Sequence, residues 1–252
     1  MNQLQNKVAL ITGAGSGMGR AMSILFASQG ANVVASDVNR ETLDAVVGEI
    51  KAKGGVAISV VANVAKEDDV KRIVNEAITA YGSLDILVNN AGILDDFIPV
   101  AEASTELWNR IMGVNINGPF FLCRETVPLM LKKGKGTIIN IASIGGFCGA
   151  RAGVSYTTSK HALIGLTKNI GFMYAKNGIR CNAIAPGSVN TNIGKGMRPN
   201  IFGYEKVSSG LNTSPRNGEP SEIAELALFL ASEKSSFING AVLTADGGWT
   251  AY

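Results

Sequence analysis

A phenol and an ammonium stand four residues apart in Tyr156-Thr157-Thr158-Ser159-Lys160, and thirteen residues before the tyrosine a hydroxyl, Ser143, follows the run Thr137 to Ile141. A tyrosine can exchange protons usefully only if its phenol, near 10 when unperturbed, is brought down towards the working pH; a neighbouring cation does that. Residues four apart share a helix face, so Lys160 is expected to be that cation. The pair alone is a common pattern on exposed helices. Ser143 strengthens it, because groups at the carboxyl ends of strands face ligands in open α/β sheets, and its hydroxyl can donate to an oxygen on which charge develops. It could equally cap the Gly145-Gly146 turn. Together the three could move a proton to and from a substrate oxygen.

A second constellation, Thr12-Gly13-Ala14-Gly15-Ser16-Gly17-Met18-Gly19, separates a strand-like run from a segment of helical length. Glycines let a backbone turn sharply and approach phosphates, and the following helix offers free N–H groups and its positive dipole end. The usual dinucleotide fingerprint, Gly-x-Gly-x-x-Gly, is not matched; the pattern is Thr-Gly-x-x-x-Gly-x-Gly. Asp37 ends the next strand-like run, where a carboxylate can accept hydrogen bonds from ribose hydroxyls and would repel a 2′-phosphate. This favours NAD over NADP, with Arg40 the nearest compensating cation and a solvated turn residue the other reading of Asp37.

The elements that must position these groups alternate along the chain. Runs rich in Val and Ile recur at Val8 to Ile11, Ala31 to Ala35, Val56 to Val61, Ile86 to Val88, Thr137 to Ile141, Ile179 to Ile184 and Ala241 to Leu243. Most are apolar at successive positions, as expected of parallel strands covered on both faces. Helical-length segments lie between them, including Thr105 to Lys132, Ser155 to Lys176 and Ser221 to Ser232. The pattern predicts an α/β fold: one domain over residues 1–252, a Rossmann-like doubly wound parallel sheet of about seven strands. Only Gly187 to Gly218 lacks a helix or strand pattern, and it is expected to be a lid at 188–218 or a surface insertion.

Composition narrows the class. Of 252 residues 46% are hydrophobic and 17% charged, and 23 Lys and Arg nearly balance 20 Asp and Glu. Neither nucleic acid nor a charged membrane is an expected partner. Cys123, Cys148 and Cys181 lack metal-ligand spacing and read as reduced core thiols. With no apolar run of about 18 residues and no signal-peptide core, the expected location is the cytoplasm.

Asn89-Asn90-Ala91-Gly92, Ser143 and Tyr156 to Lys160, taken with the glycine turn, resemble the short-chain dehydrogenase/reductase family, in its NAD-preferring branch of about 250 residues. The resemblance runs from Lys7 to about Gly248. It implies NAD lying across the carboxyl ends of the strands and a catalytic tetrad of Asn115, Ser143, Tyr156 and Lys160. Asn115, in Val114-Asn115-Ile116-Asn117, lies where asparagine is a poor helix former; the resemblance gives it a water beside Lys160, whereas a residue on a wet face is the other reading, which Asn117 could fill as well. On the cofactor side are Gly13, Ser16, Gly17, Met18, Gly19, Asp37, Asn90 and Gly92, with Tyr156 and Lys160 also in contact. Pro186-Gly187-Ser188-Val189-Asn190-Thr191 resembles the stretch that meets the nicotinamide, where the Val189 backbone and the Thr191 hydroxyl would hold the carboxamide. Asn63-Val64 departs from the family's more frequent Asp-Val beside the adenine.

The implied activity is hydride transfer between NAD(H) and a secondary alcohol or ketone, with Tyr156 as general acid/base. An apolar substrate pocket is expected from Ile144, Phe147, Met197 and Phe202. Within the family, an acyl-carrier-protein ketoreductase or a sugar dehydrogenase are alternatives, although Asp37 suits the NADP of such ketoreductases poorly. A nucleotide sensor without turnover is the alternative from another class, disfavoured by four intact proton-transfer residues. No metal is expected: Asp95 and Asp96 lack a metal partner and read as a solvated turn bordering the pocket. His161 is adjacent to Lys160 and so points about 100° away from it. The resemblance suggests a homotetramer, in which Trp249 to Tyr252 would cross a subunit boundary or else cover their own core.

Overall fold

A computed structural model describes residues 2–251. Strands β1 (Val8–Thr12), β2 (Asn32–Asp37), β3 (Val56–Val61), β4 (Ile86–Asn89), β5 (Gly136–Ile141), β6 (Ile179–Pro186) and β7 (Val242–Ala245) form one sheet in the order β3-β2-β1-β4-β5-β6-β7. Every neighbouring pair is parallel. The helices are α1 (Gly17–Ser28), α2 (Arg40–Ala52), α3 (Glu67–Tyr81), α4 (Thr105–Met112), α5 (Gly118–Lys133), α6 (Val154–Met173), α7 (Ile201–Leu211) and α8 (Pro220–Ala231). The strands are apolar on both faces because both are covered. Met22, Phe26, Leu43 and Leu228 of α1, α2 and α8 close one core, and Ile73, Leu122, Met130 and Ile170 of α3, α5 and α6 close the other. Chain order reverses between β1 and β4, so the loops leaving these two strands part and open a crevice at their carboxyl ends. None of the helices described is long and apolar enough to cross a membrane.

Two segments depart from the sequence expectation. Thr105 to Lys132 reads as one helix, but Gly113–Asn117 forms a π-helical turn between α4 and α5, with Gly118 N–H donating to the Gly113 carbonyl. Glycine and asparagine at these positions hold an ordinary α-turn weakly, and such single turns recur at functional sites. Within Gly187 to Gly218, α7 appears where no helix was expected. Its serines and glycines obscure the helical pattern, and Asn200 starts it by accepting the Gly203 N–H at 2.8 Å. Its amino end meets Phe97 through an edge-to-face contact with Tyr204, ring centres 5.6 Å apart. At its carboxyl end, Trp249 Nε1 donates to Gly210 O (2.9 Å) in its last turn and to Thr213 Oγ1 (2.8 Å) just beyond it. Trp249 is therefore buried in its own chain rather than offered to a subunit boundary; Tyr252, invoked for the same role, lies outside the described residues.

A buried polar chain crosses the sheet centre. Asn89 Nδ2 donates to Asn140 Oδ1, and Asn140 Nδ2 to Thr167 Oγ1, both at 2.8 Å, joining β4, β5 and α6. The sulfurs of Cys123 and Cys181 lie beside it, each 3.6 Å from an amide nitrogen. Their surroundings push the Cys123 thiol up to about 12 and raise that of Cys181, the behaviour of inert core thiols. Removing the middle member orphans its neighbours. Asn140→Ala is expected to lower the unfolding free energy by about 2 kcal/mol or more, read as a reduced urea midpoint at unchanged slope; a midpoint equal to wild type would show the chain to be dispensable.

Candidate active site

The carboxyl ends of β1, β2 and β4 surround a cleft of about 530 Å³. The glycine turn forms its floor. Gly13 and Gly17 have φ of +64° and +50°, and a methyl group on Gly19 would lie 2.0 Å from the Gly13 carbonyl oxygen, so the turn admits no side chain there. Ser16 begins α1 in extended conformation without a side-chain cap, and no acidic residue stands in the first turn. The helix thus presents its positive end and uncapped N–H groups to the cleft, the arrangement that binds phosphate. Met18, Asp37, Asn63, Val64 and Gly92 also line it, as does Thr191, whose methyl packs against Gly17. Asp37 accepts the Gly15 N–H (2.9 Å) and the Asn39 N–H (3.0 Å), so the same carboxylate shapes the turn and faces the cleft. Asn63 Oδ1 accepts the Ala65 N–H at 3.0 Å.

Asn90, expected on the cofactor side, lines the cleft. Its Nδ2 donates to the carbonyls of Thr12 (2.8 Å) and Gly13 (3.2 Å), while the backbone N–H groups of Asn90 and Ala91 donate to Thr12 Oγ1 at 3.1 Å each. The residue fastens the loop after β4 to the glycine turn. Its Oδ1 and the hydroxyl of Ser36, both in residues lining the cleft, are buried without a protein partner. Orphaned polar atoms beside an uncapped helix start fit a polar, phosphate-bearing ligand such as a dinucleotide.

Tyr156 lies at the start of α6, 8% exposed, with the Ser143 hydroxyl close enough to its phenol to favour the phenolate. Ser143 also accepts the Gly145 N–H at 3.0 Å, so it caps the turn as well as meeting the tyrosine. Lys160 Nζ donates to the Ile141 carbonyl at 2.7 Å and lies 5.5 Å from the Tyr156 ring centre. A methyl group on Gly92 would be 3.6 Å from Lys160 Nζ and from Asn115 Oδ1, so the wall of the cleft runs directly to these groups. The expected lowering of the phenol is reversed in the protein by itself. Burial pushes Tyr156 up to about 12, the Ser143 hydrogen bond opposes this, and the charge of Asp95 adds to it. Burial likewise lowers Lys160 to about 8.

Asn115 is buried in the π-turn while Asn117 is exposed, which separates the two candidates. Its Oδ1 accepts the Ile93 N–H (2.9 Å), and its Nδ2 donates to Ile93 O (3.0 Å) and Ser159 Oγ (3.1 Å). The side chain thus ties the loop after β4 to α6. Asp95 is not a solvated turn residue: it is 1% exposed and accepts N–H groups at the start of α6, whereas Asp96 is partly exposed. His161 is exposed, its Nδ1 2.9 Å from Thr157 O, on a different face from Lys160.

Pro186 ends β6, Gly187 N–H donates to Ala245 O at 3.0 Å, and Val189 bridges to Gly218, so these three brace the chain behind Thr191. Of the expected substrate pocket, Ile144 is buried in the turn after Ser143, Phe147 and Phe202 are half-exposed, and Met197 is partly buried. None of the four borders the cleft. Sequence reasoning missed Ile93, Arg110, Val114 and Ile193 on its walls. Adjacency to Gly92 and Thr191 could have suggested Ile93 and Ile193; Arg110 arrives on α4 with no local signal.

The family model described as enoyl-(acyl carrier protein) reductase matches residues 13–250. The chain belongs to the short-chain dehydrogenase/reductase family. This short-chain dehydrogenase/reductase is 45% identical over 251 residues to 3β-hydroxysteroid dehydrogenase 2 of Eggerthella lenta, covering 99% of this chain and 96% of that one. It is 41% identical over 250 residues to cyclohexanol dehydrogenase of an Acinetobacter strain, covering 99% and 97%. A solved structure from Beutenbergia cavernae, with NADP bound at low occupancy, superposes with TM-score 0.89 at 36% identity over 99% of each chain. The protein is thus an oxidoreductase of a family served by nicotinamide dinucleotides.

The lysine offers a test of the site's burial. The folded protein binds the Lys160 proton less tightly than the unfolded chain, about 8 against 10.5. Between those values the unfolded state carries more protons, so this group makes stability rise with pH, and its full penalty applies below pH 8. The unfolding free energy of wild type, measured against Lys160→Met by urea denaturation, is expected to climb from pH 8 to 10. A difference flat across that window would remove the buried ammonium from the account.

Proposed function

We propose that the protein is an NAD-dependent dehydrogenase/reductase acting on secondary alcohols of carbon rings and the matching ketones. The observation that carries this reading is a buried phenol beside a strand-end hydroxyl, with a lysine on its ring, where the wall of a dinucleotide-shaped cleft ends. In the oxidative direction Tyr156 accepts the proton of the substrate hydroxyl as hydride leaves the same carbon; in reduction it returns that proton to the oxygen. Ser143 donates to the substrate oxygen as charge builds on it. NAD, held by the glycine turn, Asp37 and Thr191, would in its oxidised form supply the hydride acceptor and a positive charge. That charge is what the reading needs, because burial alone holds the phenol high. Lys160 is kept by the Ile141 carbonyl where its ammonium favours phenolate on the adjoining ring, and Asn115 holds the surrounding loop.

The choice of NAD over NADP rests on Asp37, whose carboxylate faces the cleft beyond the glycine turn and would meet a 2′-phosphate with like charge. The ring-alcohol class is supported by two relatives whose names specify a 3β-hydroxysteroid and cyclohexanol, both ring secondary alcohols. The reading also includes a homotetramer, for which Phe172 and Phe237, 83% and 102% exposed, are surface that association would cover.

Reduced-cofactor absorbance followed with cyclohexanol, a 3β-hydroxysteroid and their ketones tests the reading. Tyr156→Phe is expected to lose about 10²–10⁴-fold in kcat with NAD affinity preserved; a variant that turns over like wild type would end the proposed role of the phenol. Asp37→Ser combined with Val38→Arg is expected to move the NAD:NADP ratio of kcat/KM towards NADP by about tenfold or more. An unchanged ratio would mean that selectivity resides elsewhere.

A further inference from the structure

Helix α6 begins without a cap of its own. Its N-cap is Gly153, which has no side chain, and the acceptor comes from the loop after β4. Asp95 Oδ1 takes the Gly153 N–H at 2.9 Å and Oδ2 takes the Tyr156 N–H at 2.8 Å. An N-cap side chain ordinarily bonds its own helix two or three residues on; here a carboxylate from 58 residues away does so, and one of its two bonds is to the backbone of the tyrosine itself. A methyl group on Gly153 would stand 2.7 Å from both Asp95 oxygens and 2.5 Å from the Ile98 N–H, so the glycine is what admits the carboxylate.

The same loop grips α7. Asp96 and Phe97, neither a glycine, have φ of 53° and 58°, a conformation that persists only when surroundings over-determine it. Those surroundings are visible. Asp96 O accepts the Asn200 N–H at 2.8 Å at the cap of α7, and the Phe97 carbonyl fills the place of a side chain on Gly203, where a methyl would lie 1.8 Å away. On the other side Ile98 O accepts the Val154 N–H at 3.0 Å. Residues 95–98 thus fasten the first turns of α6 and α7 to one strained piece of backbone.

A neutral cap would hold a helix start as well as aspartate does, and burying an unpaired carboxylate is unfavourable. Asp95 is nonetheless 1% exposed and in no ion pair among the described residues. We propose that Asp95 is a positioning residue for Tyr156, fixing the backbone and the electrostatic setting of its phenol and coupling both to the seat of α7. The inference rests on the reading of Tyr156 as general acid/base. The charge of Asp95 disfavours phenolate. The other groups around the phenol are the Ser143 hydroxyl after β5, Lys160 on α6 and Arg151, whose Cβ adjoins Gly145 beside the Tyr156 ring. Asp96 beside Asp95 is partly exposed; Glu102, bonded to Asn200, and Glu205 and Lys206 on α7 are exposed; Arg110 of α4 lines the cleft.

Alcohol oxidation needs the phenolate, so kcat rises with pH through the titration of Tyr156. Asp95→Asn removes the negative charge and is expected to move that rising limb to lower pH, while the loss of one of the two acceptor oxygens lowers the plateau by about tenfold. KM for NAD should stay within about twofold, since the cleft is walled by other residues. Asp95→Ser, which removes the charge and keeps one hydroxyl acceptor, is expected to move the limb in the same direction. A limb that stays at the wild-type pH in both variants would overturn the proposal, as would wild-type kcat with a wild-type limb. Collapse of both variants, judged by lost NAD binding while Tyr156→Phe still binds it, would make Asp95 a folding residue and overturn it too. Wild-type turnover by Tyr156→Phe would instead overturn the reading of the site, a result distinguishable from either.

Discussion

Exclusion of water from the Tyr156 phenol is the constraint on which the site depends. Burial holds the proton on the tyrosine and loosens the one on Lys160, so both groups drift towards neutrality when left to the protein alone. A pair of that kind serves proton transfer only when a further charge and a substrate oxygen arrive in register with it. Fixed geometry is therefore needed before any chemistry. It is supplied from three directions: the last carbonyl of β5 holds the ammonium, Ser143 meets the phenol, and the Asp95 carboxylate holds the tyrosine backbone.

The nucleotide side is rigid for a related reason. Glycines make the turn after β1 possible, and Asn90 and Asp37 hold it from the neighbouring strand ends. The loop after β4 works at both ends of the site. Its first residues bind the glycine turn, its middle is bonded through Ile93 to Asn115 in the π-turn, and Asp95 reaches the start of α6.

Within segment 187–218, helix α7 is secured at both of its ends. Phe97 and Asp96 hold the amino end of α7, while Trp249 holds the carboxyl end, with the Arg151 guanidinium 4.6 Å from its ring centre. The aromatic near the end of the chain is spent on this internal seat, which is why it does not supply an intersubunit surface.

Local sequence determined the number and direction of the strands, the glycine turn, Asp37 and the placement of Tyr156 and Lys160 on one helix face, because strand and helix periods and spacing by one helical turn are short-range properties. It also marked Asn115 as unusual for a helix. What it could not reveal was the π-turn, the helix hidden among the serines and glycines of α7, the bonding of the Asn90 amide nitrogen to backbone carbonyls, the upward displacement of the phenol, and the burial of Asp95. The last three depend on partners far along the chain, 78 residues for Asn90 with Thr12 and 61 for Asp95 with Tyr156. Hydrogen-bond satisfaction and desolvation are decided by what tertiary packing places against a group, and no run of neighbouring residues specifies that.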